Sequence, residues 1–222
     1  MIRTGLLCIP VYDEAASDAV RRLLQHTAPS AVIMAVHHVA SQRYLIEEVL
    51  RRWCDEDELD LILTIGGTLP ASGPSGREIA PEATAAVLER TMSSLNERMR
   101  ARTAEETPLA LLDRGIAGIR GRTLIMNLPA GAHAAPHFLA AVADVLPVVV
   151  AHLQDEVAAP SLEAALGWDA GVDASPEANF VAPQNTSASA PATERQSRRG
   201  LDPAEFAAFL QRGAGKVDPG VG

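Results

Sequence analysis

Lysine is almost missing from this chain: of 222 residues only Lys216 is one, and every basic residue within positions 1–154 is an arginine. An anionic ligand would therefore be met by guanidinium groups and backbone amides rather than by ammonium charges. Aromatic residues are scarce too, at 4%, so the interior has to be built from Leu, Ile, Val and Ala. Cysteine is confined to Cys8 and Cys54, and two isolated cysteines read as reduced and structural. No apolar run approaches the roughly 20 residues that span a bilayer. The start, MIRTGLLCIPVYDE, has neither the long apolar stretch nor the small-residue cleavage site of a secretory leader. The expectation is a cytoplasmic protein with no membrane contact. Positive charge is also in deficit, with a net −9, which argues against non-specific nucleic-acid binding.

What is present is an alternation of apolar runs and amphipathic stretches. Residues 4–11, 31–36, 59–65 and 123–128 read as strands. Helical patterns cover 13–26, 44–53, 81–102, 107–113 and 135–153, the last interrupted by Pro147. Pro81 and Pro108 sit where a helix favours proline, in its first turn. The strands are continuously apolar, which predicts a mainly parallel sheet with helices on both faces, a three-layer α/β/α domain over residues 1–154. In such sheets ligands bind beyond the strand C-termini. Beyond residue 155 the composition changes. Residues 169–200 are rich in Ala, Pro, Ser, Asn and Thr, a linker composition. LDPAEFAAFLQR (201–212) then predicts a short helix near 203–212, either docked on its own core or recruiting a partner.

The richest segment runs from Asp60 to Thr84, DLILTIGGTLPASGPSGREIAPEAT. A buried strand ends in Gly66-Gly67-Thr68, a polar Gly/Pro/Ser loop follows, and Pro81-Glu82 opens a helical pattern. Glycines let a backbone approach a ligand closely, and helix N-termini carry unpaired N–H groups, so this order of parts suits an anion. The run resembles the signature of the molybdenum-cofactor biosynthesis (MoCF) domain family, matching it at Thr64, Gly66, Gly67, Thr68, Arg77, Pro81, Glu82, Ala83 and Thr84. Thr107-Pro108 and the stretch RGIAGIRGRTLIMNLP (114–129) resemble the family's second motif, before its last core strand.

The resemblance implies a molybdopterin-binding domain akin to the ATP- and Mg²⁺-dependent molybdopterin adenylyltransferases, assembled as a homotrimer. Its site would comprise Thr64, Gly66, Gly67, Thr68, Arg77, Arg114, Asn127, Leu128 and Pro129 as ligand contacts. Glu78 stands where the family has a catalytic, metal-holding aspartate. Other positions depart from the pattern as well. Leu69 replaces a glycine in a longer loop, and Asp113 stands for a serine. His133 follows Ala130-Gly131-Ala132 where a lysine is expected, and Ser41 or Gln42 occupies the place of a second acid. Losing one carboxylate weakens a metal site, and Asp113 adds negative charge near a phosphate. A pterin- or nucleotide-binding relative that has lost catalysis, with a regulatory or assembly role, is thus the alternative. His37-His38 and the His133/His137 pair read as loop and helix-start residues before they read as metal ligands, and Asp55–Glu58 as a solvated turn.

Overall fold

The computed structural model describes residues 1–70 and 79–154. Arg77, Glu78, the linker and the 203–212 segment lie outside them. Leu61–Ile65 (β3) and Thr123–Leu128 (β6) are buried at every position, as an unbroken apolar run in a sheet covered on both faces must be. They pair in parallel at the centre, flanked by Ile2–Cys8 (β1) and, at one edge, Ala31–His38 (β2), also parallel. Ala117–Arg120 (β5) joins β6 antiparallel, and Arg90–Thr91 (β4) closes the other edge, for the order β2-β1-β3-β6-β5-β4.

Alternation along the strands sorts two cores. On one face Leu6, Leu61, Leu63, Leu124 and Met126 meet Glu14–Thr27 (α1), Ser93–Ala104 (α4), Ala134–Ala140 (α5) and Leu146–Leu153 (α6). On the other, Leu7, Ile62 and Ile125 meet Arg43–Asp55 (α2) and Ala80–Ala85 (α3). Gly5 belongs to the second face because the Trp53 ring lies against it: a Cβ there would come within 2.7 Å of the indole. The three-layer α/β/α expectation holds, with a mixed sheet in which parallel pairing predominates.

Two expectations are corrected. Residues 81–102 do not form one long helix. Ala80, Ala83 and Val87 belong to the core on one face of the sheet, while Leu95 and Met99 belong to the core on the other. A single straight helix cannot serve both faces, so the chain leaves α3, adds β4 to the edge and enters α4 on the far side. Gly118 permits that edge pairing, since a Cβ there would lie 2.4 Å from the Arg90 carbonyl oxygen. Second, the closing helix breaks before Pro147, not at it: Pro147 lies in the first turn of α6, the position its missing N–H tolerates. Thr107–Asp113 narrows to a 3₁₀ turn over Pro108–Leu112.

Both cysteines are free thiols. Burial pushes the Cys54 thiol up to about 11, which leaves it protonated and unreactive near neutral pH. Asp55, Glu56, Asp57 and Glu58 are exposed. Asp55 pairs with Arg120 at 2.7 Å, and among the described residues no group of three or more His, Cys, Asp or Glu is placed to hold a metal.

Candidate functional site

The loops that follow β1, β3 and β6 meet at the C-terminal edge of the parallel strands, stitched by backbone hydrogen bonds. Ile9 N–H donates to Ile65 O, and Gly66 N–H donates to Leu128 O, both at 2.9 Å. Asp13 adds a side-chain tie. One carboxylate oxygen caps α1 by accepting Ala16 N–H at 2.9 Å, and the other accepts Gly131 N–H at 3.2 Å. Asp13 thereby links the β1 and β6 loops, a role its sequence context signals only as a helix cap.

The glycine turn is held by geometry that only glycine supplies. Gly66 and Gly67 have φ of +99° and +69°. A Cβ at Gly66 would lie 2.1 Å from the Ile9 carbonyl oxygen, and one at Gly67 would lie 3.2 Å from the Ala80 Cβ. A side chain at Gly67 would thus press on Ala80 and Ile9 before it reached a ligand. Thr68 follows, with its carbonyl accepting Arg114 N–H at 3.0 Å. That bond joins the first motif to the second.

Thr64 and Asn127 face each other across β3 and β6 in register. Asn127 is fully buried, and its amide is used inside the protein. It donates to Thr64 Oγ1 at 2.8 Å and Thr84 Oγ1 at 2.9 Å, and its oxygen accepts Ile116 N–H at 3.1 Å. In this conformation Asn127 ties β3, α3 and the start of β5 together beneath the turn. Arg114 is half-exposed and forms an ion pair with Glu82 in the first turn of α3. That partner was missed from the sequence, although Glu82 stands inside the motif. The six residues of α3 leave little of the helix dipole that a long helix from Pro81 would have brought.

Buried polar side-chain atoms without a partner gather here. They belong to Thr68, Glu82, Asp113, Asn96 and Thr103, on the turn, α3, the second motif and α4. Buried polar groups normally find partners, so such a gathering marks where a polar ligand or ordered water completes the structure. Burial raises the Asp113 carboxyl above the usual carboxylate range, opposed by the Thr68 hydroxyl, Gly115 N–H and the Arg100 charge.

Beside the turn opens a cleft of about 450 Å³ between Leu69 and Pro129 on one side and Leu109, Ala110 and Phe138 on the other. His133 and His137 stand at it with Glu106, whose carboxylate lies 3.6 Å from His137. Of the described residues expected in the site, only Pro129 lines this cleft; Leu128 is buried in the strand behind it. A mostly apolar lining with a few polar groups is the ordinary character of a small-molecule cleft, and no local sequence pattern marked Leu69, Leu109 and Phe138 as neighbours.

Residues 11–149 match the family described as a probable molybdopterin binding domain. The chain is 36% identical over 140 residues to molybdopterin adenylyltransferase from Helicobacter pylori strain J99, covering 63% of this chain and 77% of that protein. It is 31% identical over 157 residues to the Escherichia coli K12 molybdopterin adenylyltransferase, covering 68% and 78%. Among solved structures, the molybdopterin biosynthesis enzyme MoaB from Thermus thermophilus superposes with a TM-score of 0.64 at 37% identity, covering 70% of this chain and 98% of that one. With fold, turn and both motifs in agreement, this chain belongs to the molybdenum-cofactor biosynthesis family of molybdopterin-binding domains.

Proposed function

We propose that the protein binds molybdopterin at the C-terminal edge of its sheet and, with ATP and Mg²⁺, adenylates it. The observation that carries this reading is the Gly66–Thr68 turn, locked in positive φ and stitched to Leu128, in a chain related to adenylyltransferases at 31–36% identity. The N–H groups of Gly67 and Thr68 and the Thr68 hydroxyl receive a phosphate, with Arg77 and Arg114 as the cations. The cleft from Leu69 to Phe138 receives the pterin. Asn127 acts from beneath, holding the turn's strand and α3 in place. Mg²⁺ is carried by Glu78 and the ligand's own phosphates, in keeping with a metal that uses one or two carboxylates plus phosphate. The unpartnered oxygens of Thr68 and Glu82 fit a site completed by a polar ligand.

The test is anaerobic incubation with molybdopterin, ATP and Mg²⁺, scored for pterin binding and pyrophosphate release. Glu78→Gln is expected to lower turnover at least a hundredfold while pterin affinity changes less than about threefold, because the charge serves the metal. Turnover that survives the substitution places catalysis elsewhere. One observation favours the second reading, a binding protein without catalysis: the first turn of α2, after Ser41-Gln42, holds no acidic residue. Binding without pyrophosphate release would select it.

Cytoplasmic location and a homotrimer complete the proposal. Leu109, Leu111 and Leu112 on the 3₁₀ turn are more than half exposed, an apolar cluster of the kind subunit contacts cover. Sedimentation at micromolar concentration is expected to give a trimer, with Leu111→Asp shifting it toward monomer. A monomeric unmutated protein would remove this part of the proposal.

A further inference from the structure

Asp113 is an unusual residue to bury. It is 4% exposed. Its Oδ1 accepts Gly115 N–H at 2.9 Å, while its Oδ2 is covered and has no hydrogen-bond partner. The side chain acting on that carboxyl is the Thr68 hydroxyl, whose own oxygen is likewise covered and short of hydrogen-bond geometry. The charged groups around it are otherwise engaged. Arg100 on α4 directs its guanidinium to the carbonyl oxygens of Asp113 and Gly115, at 3.4 and 3.0 Å. Arg114 pairs with Glu82 of α3. Burial favours the neutral carboxyl against the pull of Thr68, Gly115 N–H and Arg100. Asparagine would supply the same acceptor to Gly115 and a donor to Thr68 with no charge to bury. A buried carboxyl with one covered, partnerless oxygen therefore points to a use for its proton.

We propose that Asp113 is a positioning residue for Thr68: its proton decides where the Thr68 hydroxyl hydrogen points, and so whether the glycine turn offers that hydrogen to a ligand phosphate. The inference rests on the phosphate-binding role proposed above for the turn. With Asp113 neutral, Oδ2–H donates to Thr68 Oγ1, and the threonine hydrogen is left for a phosphate oxygen. With Asp113 ionised, Oδ2 takes the threonine hydrogen, and oxygen lone pairs with an added negative charge face the phosphate instead. Thr68 is itself 1% exposed, so the phosphate meets its hydroxyl only once binding has uncovered it. No bond is made or broken beyond the carboxyl proton, which is exchanged with solvent. By linkage, binding and protonation favour each other, so affinity falls as pH rises through the titration of Asp113.

The experiment measures anaerobic binding of molybdopterin, across the pH range in which the protein stays folded, to the unmutated protein, Asp113→Asn, Thr68→Val and the double variant. Thermal unfolding at each pH confirms that every variant is folded. Taking the ratio of dissociation constants, unmutated over Asp113→Asn, cancels the titration of the ligand's own phosphate. The ratio is expected to stay near one at the acid end and to rise roughly ten- to a hundredfold at the alkaline end, the size of one charge-assisted hydrogen bond. In the Thr68→Val background, Asp113→Asn is expected to leave a much flatter ratio, since the relay through the hydroxyl is gone. A ratio independent of pH, or the same rise without the Thr68 hydroxyl, overturns the proposal while leaving molybdopterin binding intact. No binding by any form at any pH overturns the proposed function, and this inference with it.

Discussion

Gly66→Ala is expected to produce the largest loss of stability of any single substitution at the turn. The residue has φ of +99°, outside the region open to alanine without strain, which costs about 1–3 kcal/mol by itself. The new methyl carbon would also lie 2.1 Å from the Ile9 carbonyl oxygen, a backbone atom that cannot turn aside as a side chain would. The chain must either swing the turn outward or displace the β1 loop, and each breaks a tie at the sheet edge: Gly66 N–H to Leu128 O, or Ile9 N–H to Ile65 O. A total near 3–5 kcal/mol follows, or roughly 6–20 °C in Tm for a domain of this size. Differential scanning calorimetry checks it. A Tm within about two degrees of the unmutated protein would mean that the turn relaxes freely and is not a rigid element. Gly121 supplies the control, because its φ of +56° is also positive but a Cβ there meets nothing within 4 Å. Gly121→Ala is expected to cost only the backbone part.

Asn127→Ala ranks beside it, and its effect separates holding the turn from touching the ligand. Alanine removes the partner of Thr64 Oγ1, Thr84 Oγ1 and Ile116 N–H together. Thr64 and Thr84 are fully buried, and each abandoned buried group costs about 1–3 kcal/mol. A loss of about 3–5 kcal/mol is expected, read as a lower midpoint in urea with an unchanged m-value. Asn127→Asp is the informative companion. The two threonine hydroxyls can reverse and donate to a carboxylate, so its bonds survive, but a charge is then buried between strands and α3. Burial raises the introduced carboxyl's pKa in the folded protein above its unfolded value. The stability of this variant is therefore expected to fall as pH rises from the ordinary carboxylate range toward that raised value, because the unfolded chain ionises first. A small effect of Asn127→Ala on stability, with a large one on pterin affinity, would show that the amide faces the ligand in the bound state.

The separation between local and non-local information is visible residue by residue. Strands β1, β2, β3 and β6 and helices α1 and α2 stood out because their apolar spacing is a property of neighbouring residues. Edge strands β4 and β5 did not. Arg90–Thr91 is too short and polar to declare itself, and Ala117–Arg120 gains its strand character from pairing with β6 and from the close approach allowed at Gly118. The long helix expected from Pro81 failed for a related reason. Its pattern is locally helical, yet its apolar residues are claimed by opposite faces of the sheet.

The site divides along the same line. The glycines, Thr68 and the order of the two motifs were legible because a turn in positive φ demands particular residues at particular places in the chain. That demand also made the family recognisable. Which polar groups face one another was not legible. Asn127 turning inward to Thr64 and Thr84, Glu82 reaching Arg114, and Asp113 buried against Thr68 each join residues far apart in sequence. Sequence by itself determined the layers, the turn and the family, because these follow from local periodicity and backbone conformation. Tertiary structure alone decided the roles of the polar side chains, because whether such a group meets solvent, ligand or another side chain depends on what the fold packs against it.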